Sequence, residues 1–124
     1  AKLAIPNARI GIFGLTFKEN VSDIRNSKVI DIIQELTDFQ CTTLIHDPYA
    51  IQNDVKKEYN LTLTPLESMT DLDAIIITVP HKPYQKMALE EFTKRIKHPK
   101  KVIYDIKSLL KDSKITPDII YKAL

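Results

Sequence analysis

Four short runs of apolar and often β-branched residues alternate along the chain with longer amphipathic stretches. The runs are residues 8–15, 41–46, 73–79 and 101–106, and each is bounded by polar or proline-containing segments. Continuous apolar character over so few residues is typical of strands buried on both faces of a parallel sheet. We therefore predict a strand at each run, with residues 61–64 as a shorter additional candidate.

Between these strands, apolar residues recur at the spacing of a helix. The residues that share a predicted helix face are Val29, Ile32, Ile33 and Leu36, then Ile51, Val55 and Tyr59, and then Ala88, Phe92 and Ile96. Recurrence at every third and fourth residue places each set on one side of its helix. We expect Asn26 or Ser27 to cap the first helix. The third helix should span residues 84–97, and a last short helix should span residues 117–124, since proline suits a first helical turn.

The alternation of strands and helices predicts an α/β fold. We expect a three-layer, Rossmann-like domain with a mostly parallel sheet of about five strands, helices on both faces and right-handed crossovers. Residues 8–124 should form this domain. Residues 1–7 have the character of a linker remnant, and the missing initiator methionine favours a fragment of a longer protein.

Composition and charge narrow the classes of function. A chain of 124 residues with 44% hydrophobic residues suits one folded domain. A formal net charge of +2, with acids and bases interspersed, argues against nucleic acid as a partner. No run approaches the roughly 20 apolar residues of a membrane span, so we expect no membrane contact. The single cysteine, Cys41, excludes an internal disulfide and suits the cytoplasm.

The loop after the first strand carries the most suggestive chemistry. Residues 17–28 read FKENVSDIRNSK, in which Lys18 and Arg25 flank a predicted helix start. A point charge, a guanidinium fork and a helix N-terminus are the groups that bind diphosphates. The alternative is a solvated loop in which Arg25 pairs with Asp23 or Glu19.

Two glycines at the end of the first strand give a weaker signal. Gly11 and Gly14 would let a phosphate approach the backbone, but their G-x-x-G spacing is not the G-x-G-x-x-G of dinucleotide-binding turns. The simpler interpretation is that they relieve crowding in the strand and turn.

The stretch GLTFKENVSDIRNSKVIDIIQEL, residues 14–36, strongly resembles the start of the C-terminal domain of the UDP-glucose/GDP-mannose dehydrogenase family. The likeness continues through His46–Pro48, the DAIIITVPH strand at residues 73–81 and the strand end Tyr104–Lys107. It therefore covers nearly the whole chain. Within the family it is closest to the UDP-N-acetylhexosamine 6-dehydrogenases, which supply uronic acids for polysaccharide biosynthesis.

The resemblance implies an NAD-dependent oxidoreductase that converts the C6 alcohol of a UDP-sugar to a carboxylate in two steps. In the family, a cysteine in an earlier part of the chain captures the intermediate aldehyde. An N-terminal Rossmann domain holds most of the NAD, and a central helix supports a homodimer. We therefore expect a UDP-binding domain that is inactive alone, with no catalytic residue or metal ligand, and with the UDP-sugar and the remaining domains as partners.

The resemblance also implies four ligand contacts. Phe17 and Lys18 match the family's Phe-Lys pair, which lies against the bound UDP-sugar. Arg25 matches the arginine of D-x-R-x-S, which reaches the NAD pyrophosphate. Lys107 falls where the family has a basic residue near the ligand. Each cation follows a predicted strand, and ligands bind at the carboxyl ends of such strands, so we expect the cations to meet at one edge of the sheet.

Several other residues invite a functional interpretation that we reject. Cys41 enters a predicted core strand, where free cysteines are usually inert. Asp47 could imitate a ribose-binding acid, but Asp-Pro is an ordinary strand stop. His46 and His81 have no third ligand at metal-site spacing, so we expect structural or solvent-facing roles for them.

Two other classes of function also fit the predicted alternation of strands and helices. One is a self-sufficient Rossmann-like nucleotide-binding module, against which the missing third glycine argues. The other is a flavodoxin-like interaction domain without catalysis, and a phosphate-accepting form would need acids where residues 15–18 read LTFK. For the main hypothesis, the substrate stays open among UDP-N-acetylglucosamine, UDP-N-acetylgalactosamine, UDP-glucose and GDP-mannose, in that order of preference.

Overall fold

A computed structural model of the protein, which describes residues 6–123, contains a five-stranded sheet with all its strands parallel. The strands are β1 (Arg9–Phe13), β2 (Thr42–His46), β3 (Ala74–Ile77), β4 (Lys101–Asp105) and β5 (Ile119–Ala123). Their order across the sheet is β2-β1-β3-β4-β5. The predicted α/β class and parallel sheet are confirmed. Most of the proposed linker, residues 1–7, lies outside the described residues, so that boundary stays a prediction.

Helices connect the first four strands. They are α1 (Val29–Asp38), α2 (Gln52–Tyr59), α3 (Lys82–Gln85) and α4 (Leu89–Thr93), with a single 3₁₀ turn at Leu66–Ser68. The first two helices lie where the periodicity predicts them. The N-cap residue of α1 is Lys28, which makes no side-chain capping hydrogen bond, so the prediction of Asn26 or Ser27 as the cap is wrong. Ser27 lies one residue earlier, and its Oγ accepts the N–H of Val29 at 3.2 Å.

The central strands β1 and β3 are buried on both faces. Successive strand residues point to opposite sides, and each side meets its own apolar cluster. On one face, Ile12 and Ile76 belong to a cluster that includes Ile33 of α1. On the other face, the ring of Phe13 meets that of Phe92 in α4 edge-on, with centroids 5.4 Å apart. This two-sided burial explains why the strands are continuously apolar in sequence.

The C-terminal segment differs from the prediction. Residues 117–124 were expected to be helical, but Ile119–Ala123 form β5, which pairs with β4. The segment is too short for a stable isolated helix, and its isoleucines favour a strand. Pairing with β4 supplies backbone hydrogen bonds along one side of the segment and covers the otherwise open edge of β4. The hydroxyl of Tyr121 also donates to the buried carboxylate of Asp105 at 2.5 Å.

Residues 61–64 do not form the predicted strand, and only Leu63 makes an isolated parallel bridge, to Ile45. The expected number of strands is therefore right, although the fifth strand comes from another segment.

The single helix predicted over residues 84–97 is also wrong. The chain forms α3, breaks, and resumes as α4, with Ala88 exposed and in an extended conformation at φ −72° and ψ 160°. The break lets Tyr84 and Leu89 both reach the core, because one continuous helix would place residues five apart about 140° from each other around its axis. Ile96 is buried as predicted, but Ala88 is not.

Candidate functional site

The strand order reverses direction between β1 and β3, and this is where ligands bind in doubly wound sheets. Thr78, directly after β3, donates from Oγ1 to the carbonyl oxygens of Phe13 and Gly14. Gly14 has φ +113°, and a Cβ there would lie 2.6 Å from the Cβ of Val79. The glycine therefore lets the two strand ends lie against each other. The interpretation of Gly14 as a relief of crowding fits this geometry.

A cavity of about 200 Å³ opens beside these strand ends, and we call it the switch-point cleft. Its lining residues are Thr16, Phe17, Lys28, Val29, Ile32, Thr78, Val79, Ile106 and Lys107. The ring of Phe17 is 56% exposed, so it is available to a ligand. Two lysines, one from the start of α1 and one after β4, give the cleft a positive rim. An aromatic face beside paired cations suits a nucleotide that carries phosphates.

The cleft brings two of the predicted contacts together and adds one. Phe17 and Lys107, two of the four residues expected to contact the ligand, line it. Lys28 also lines it, although the sequence analysis assigns this residue no role. Its position at the N-terminus of a predicted helix was the available signal. Lys18 is exposed on the adjacent loop and is not among the lining residues.

Arg25 lies in a different groove. This groove, of about 410 Å³, is lined by residues 22–25 and by residues 54, 57 and 58 of α2. The Nε and one terminal nitrogen of Arg25 donate to the carboxylate of Asp23, each at 3.1 Å. These hydrogen bonds raise the pKa of the guanidinium and lower the pKa of Asp23. The alternative of a local Arg25–Asp23 pair is thus present in the structure.

Behind the cleft lies a buried carboxylate, Asp47. Its Oδ2 accepts the backbone N–H groups of Leu15 at 2.7 Å and Thr16 at 3.1 Å, and lies 2.8 Å from Nε2 of His81. Burial alone would raise the pKa of Asp47, but the hydrogen bonds from His81 and the backbone outweigh it and leave the pKa below its ordinary value. Asp47 therefore remains an anion that fixes the start of the loop after β1. It is more than the strand stop expected from Asp-Pro.

Other candidate chemistries find little support in residues 6–123. Cys41 is buried, as expected for a packing residue. No group of three or more potential metal ligands occurs among the described residues. Within the same range, no helix is long and apolar enough to cross a membrane. A groove of about 430 Å³ between α1 and β4 is lined mainly by apolar groups, and so offers a phosphate much less than the switch-point cleft does.

The fold and the cleft define a doubly wound α/β domain with two lysines at the edge of its sheet where the strand order reverses. Residues 11–112 match the sequence family described as the UDP-glucose/GDP-mannose dehydrogenase family, UDP binding domain. The chain belongs to this family.

Individual relatives agree with the family match. The chain is 36% identical over 113 residues to the UDP-N-acetyl-D-glucosamine 6-dehydrogenase of Pseudomonas aeruginosa, covering 91% of this chain and 26% of that protein. It is 34% identical to the enzyme of the same name from Salmonella typhi, covering 86% of this chain and 25% of that protein. The chain thus spans about a quarter of the length of these relatives.

Solved structures show the same fold. The NDP-N-acetyl-D-galactosaminuronic acid dehydrogenase of Methanosarcina mazei Go1 superposes with a TM-score of 0.79 at 19% identity, over 99% of this chain and 25% of that chain. The UDP-N-acetyl-mannosamine dehydrogenase Cap5O of Staphylococcus aureus gives a TM-score of 0.68 at 25% identity, over 97% of this chain and 27% of that chain.

Proposed function

We propose that this chain is the nucleotide-sugar-binding domain of an NAD-dependent UDP-sugar 6-dehydrogenase, an oxidoreductase that forms a UDP-uronic acid for polysaccharide biosynthesis. The observation that carries the proposal is the switch-point cleft, where Phe17 and two lysines meet in a chain of the UDP binding domain family. The full enzyme would act in the cytoplasm as a homodimer. Residues 1–7 would join this domain to the preceding part of that enzyme.

The cleft supplies binding and orientation. The exposed ring of Phe17 offers an apolar surface against the nucleotide sugar, and Lys107 offers a point charge to the diphosphate. Lys28 adds a second charge at the beginning of α1, where the helix dipole also favours an anion. Lys18 would reach the ligand from its exposed loop. Together these groups would hold the diphosphate, and thereby fix the position of the sugar for chemistry elsewhere in the enzyme.

We propose one contact between this domain and NAD, made by Arg25. Arg25 is 77% exposed in its side chain, so its guanidinium can meet a pyrophosphate beside Asp23. Gly11 lies within β1 and Gly14 directly after it, so the two glycines do not form a dinucleotide turn, and α1 begins only at Val29. NAD supplies the hydride acceptor in this chemistry, and most of its binding would come from another domain.

The sugar specificity belongs to the same proposal. The named relatives include UDP-N-acetyl-D-glucosamine 6-dehydrogenases, which favours an N-acetylhexosamine over glucose or mannose. We propose UDP-N-acetylglucosamine as the first substrate to test, followed by UDP-N-acetylgalactosamine.

Calorimetric titration of UDP tests the binding role directly. We expect the 124-residue chain to bind UDP weakly, and the Lys107→Ala and Lys18→Ala variants to bind about tenfold more weakly, since each loses a charge-assisted contact. Lys56→Ala is the matched control, because Lys56 is exposed on α2, outside the cleft. Equal affinity of all four proteins would remove the cleft lysines from the site.

Kinetics test the wider assignment. We expect no reduction of NAD by this chain with any UDP-sugar, and a loss of kcat/KM when Lys107→Ala is placed in the full-length enzyme. Turnover by the 124-residue chain alone would contradict its role as a binding domain. Micromolar binding of NAD without UDP would instead favour the self-sufficient nucleotide-binding module.

A further inference from the structure

A completely buried histidine lies directly behind the loop that carries Phe17 and Lys18. The side chains of His81 and Asp47 are both 0% exposed, and Nε2 of His81 lies 2.8 Å from Oδ2 of Asp47. The imidazole is enclosed by the rings of Tyr49 and Tyr84, with centroids 4.9 and 5.7 Å away. This packing restricts the orientation of the His81 ring and therefore the partners to which it can hydrogen-bond.

The hydrogen bonds of His81 fix its protonation state. The backbone N–H of Asn20 points at Nδ1 of His81 at 2.9 Å, and a backbone N–H can only donate. Nδ1 must therefore carry the lone pair, and the ring proton resides on Nε2, from which it is donated to Asp47. His81 is thus the neutral Nε2–H tautomer. A protonated imidazole would place two donors face to face at Asn20.

The same contacts hold both ends of the exposed loop. At its start, the N–H of Thr16 donates to Asp47, and its Oγ1 donates to the carbonyl of Lys18 at 2.8 Å. At its end, Asn20 is held by His81, and its Oδ1 accepts the N–H of Lys82 at 2.8 Å. Asn20 also has φ +63°, a left-handed conformation that turns the chain back. Between these anchors, Phe17 and Lys18 are exposed.

We propose that His81 is a positioning residue, which acts through Asn20 to hold the Phe17–Lys18 loop in the conformation that receives the nucleotide. Loop ordering before binding lowers the entropic cost of the complex, so a loosened loop binds its ligand more weakly. This inference rests on the proposed function, because it takes Phe17 and Lys18 to be ligand contacts. The sequence analysis gave His81 no role beyond a structural or solvent-facing one.

Two substitutions test the contacts of Nδ1 and of Nε2 of His81 separately. In His81→Asn, the amide oxygen falls near the position of Nδ1 and keeps an acceptor for Asn20. In His81→Gln, the amide nitrogen reaches the position of Nε2 and keeps a donor for Asp47. Both variants replace the buried ring by a smaller amide, so we expect both to lose global stability. Only the asparagine variant preserves the contact with Asn20, whereas the glutamine variant keeps a nitrogen near Asp47 and Oγ1 of Thr16.

The experiment combines NMR with UDP titration of the 124-residue chain. Hydrogen exchange of the Asn20 amide should be about tenfold faster in His81→Gln than in wild type and His81→Asn, because the glutamine variant loses the acceptor of this partly buried hydrogen bond. UDP affinity should fall about tenfold in the glutamine variant and stay within about twofold in the asparagine variant. His98→Asn is the control, since exposed His98 instead contacts Asp73.

The outcomes distinguish this inference from the proposed function. Equal exchange of the Asn20 amide in both His81 variants, or an Nδ1–H tautomer in the nitrogen spectrum of the wild type, would overturn the positioning role. Equal weakening of UDP binding by both variants would also overturn it, since a merely structural histidine predicts that result. If wild type binds no UDP, the proposed function fails, and the exchange data alone decide whether His81 holds the loop.

Discussion

At the scale of single residues, the carboxylate of Asp47 joins the ends of three strands. Its Oδ2 accepts hydrogen bonds from the backbone after β1 and from His81 after β3, while its Oδ1 accepts the N–H groups of Tyr49 and Ala50 after β2. A buried anion is tolerated only when its lone pairs are satisfied in this way. The candidate loop therefore depends on a residue that does not line the cleft.

Replacement of this carboxylate should be costly. We expect Asp47→Asn to lower the free energy of unfolding by about 3 kcal/mol, because an amide nitrogen replaces an acceptor that faces several N–H donors. Urea denaturation monitored by circular dichroism measures the loss. Asp112→Asn, at an exposed position, should change stability by less than about 0.5 kcal/mol. A similar small change for both variants would show that the Asp47 network stabilises little.

Part of the switch-point cleft can be predicted from the sequence. Phe17 and Lys107 lie far apart in sequence, yet both line one cleft, because parallel strands bring their carboxyl ends to one edge. The sequence alone does not predict where the side chains of the loop after β1 point. Asp23 holds the side chain of Arg25 outside the cleft, and the loop of Lys18 follows hydrogen bonds to residues distant in sequence. The ligand roles of these four residues stay predictions.

At the scale of elements, we attribute the stability of α4 mainly to the packing of Phe92 against Phe13 and less to the hydrogen bonds within this short helix. Phe92 is fully buried and meets Phe13 edge-on, whereas a helix of five residues gains little from its own hydrogen bonds. We expect Phe92→Ala to cost about 3–5 kcal/mol in unfolding free energy, measured by urea denaturation. Phe39→Ala removes a ring that is 52% exposed and should cost much less. Equal losses would mean that α4 is not held by this packing.

The elements that were predicted correctly share a physical property. The first four strands and the first two helices combine a clear apolar pattern with sharp polar or proline boundaries, so local sequence suffices to define them. The third helix and the C-terminal segment have weaker patterns, and tertiary contacts decide their structure. Tyr84 and Leu89 both reach the core, which one continuous helix would not allow, and the open edge of β4 requires a partner. Neither requirement can be seen from a window of local sequence.

At the scale of the whole molecule, stability should fall in acid. Burial alone would raise the pKa values of Asp47 and Asp73, but hydrogen bonds to each carboxylate lower both overall. For a carboxyl group whose pKa is lowered by folding, the stabilisation is complete above the unfolded value of about 4 and is lost as the pH falls through the folded value. The exposed surroundings of Asp73 weaken its share, so Asp47 should dominate.

Urea midpoints as a function of pH measure this effect. We expect a nearly constant midpoint from about pH 7 to pH 5 and a progressive fall below about pH 4. In Asp47→Asn the fall should be shallower, because one group with a lowered pKa is gone. A wild-type profile that stays flat or rises in acid would contradict the assignment of these carboxylates as folded-state anions.

The all-parallel sheet also affects how the chain reaches its native state. Parallel neighbours cannot be joined by a tight hairpin, so every ladder of this sheet closes a long loop before it forms. Refolding should therefore be limited by the search for distant partners and not by the rate of helix formation. During that search, apolar strands such as β3 have unpaired edges. Losses by aggregation should consequently occur while the chain refolds, and dilute conditions should improve recovery even though the native sheet is stable.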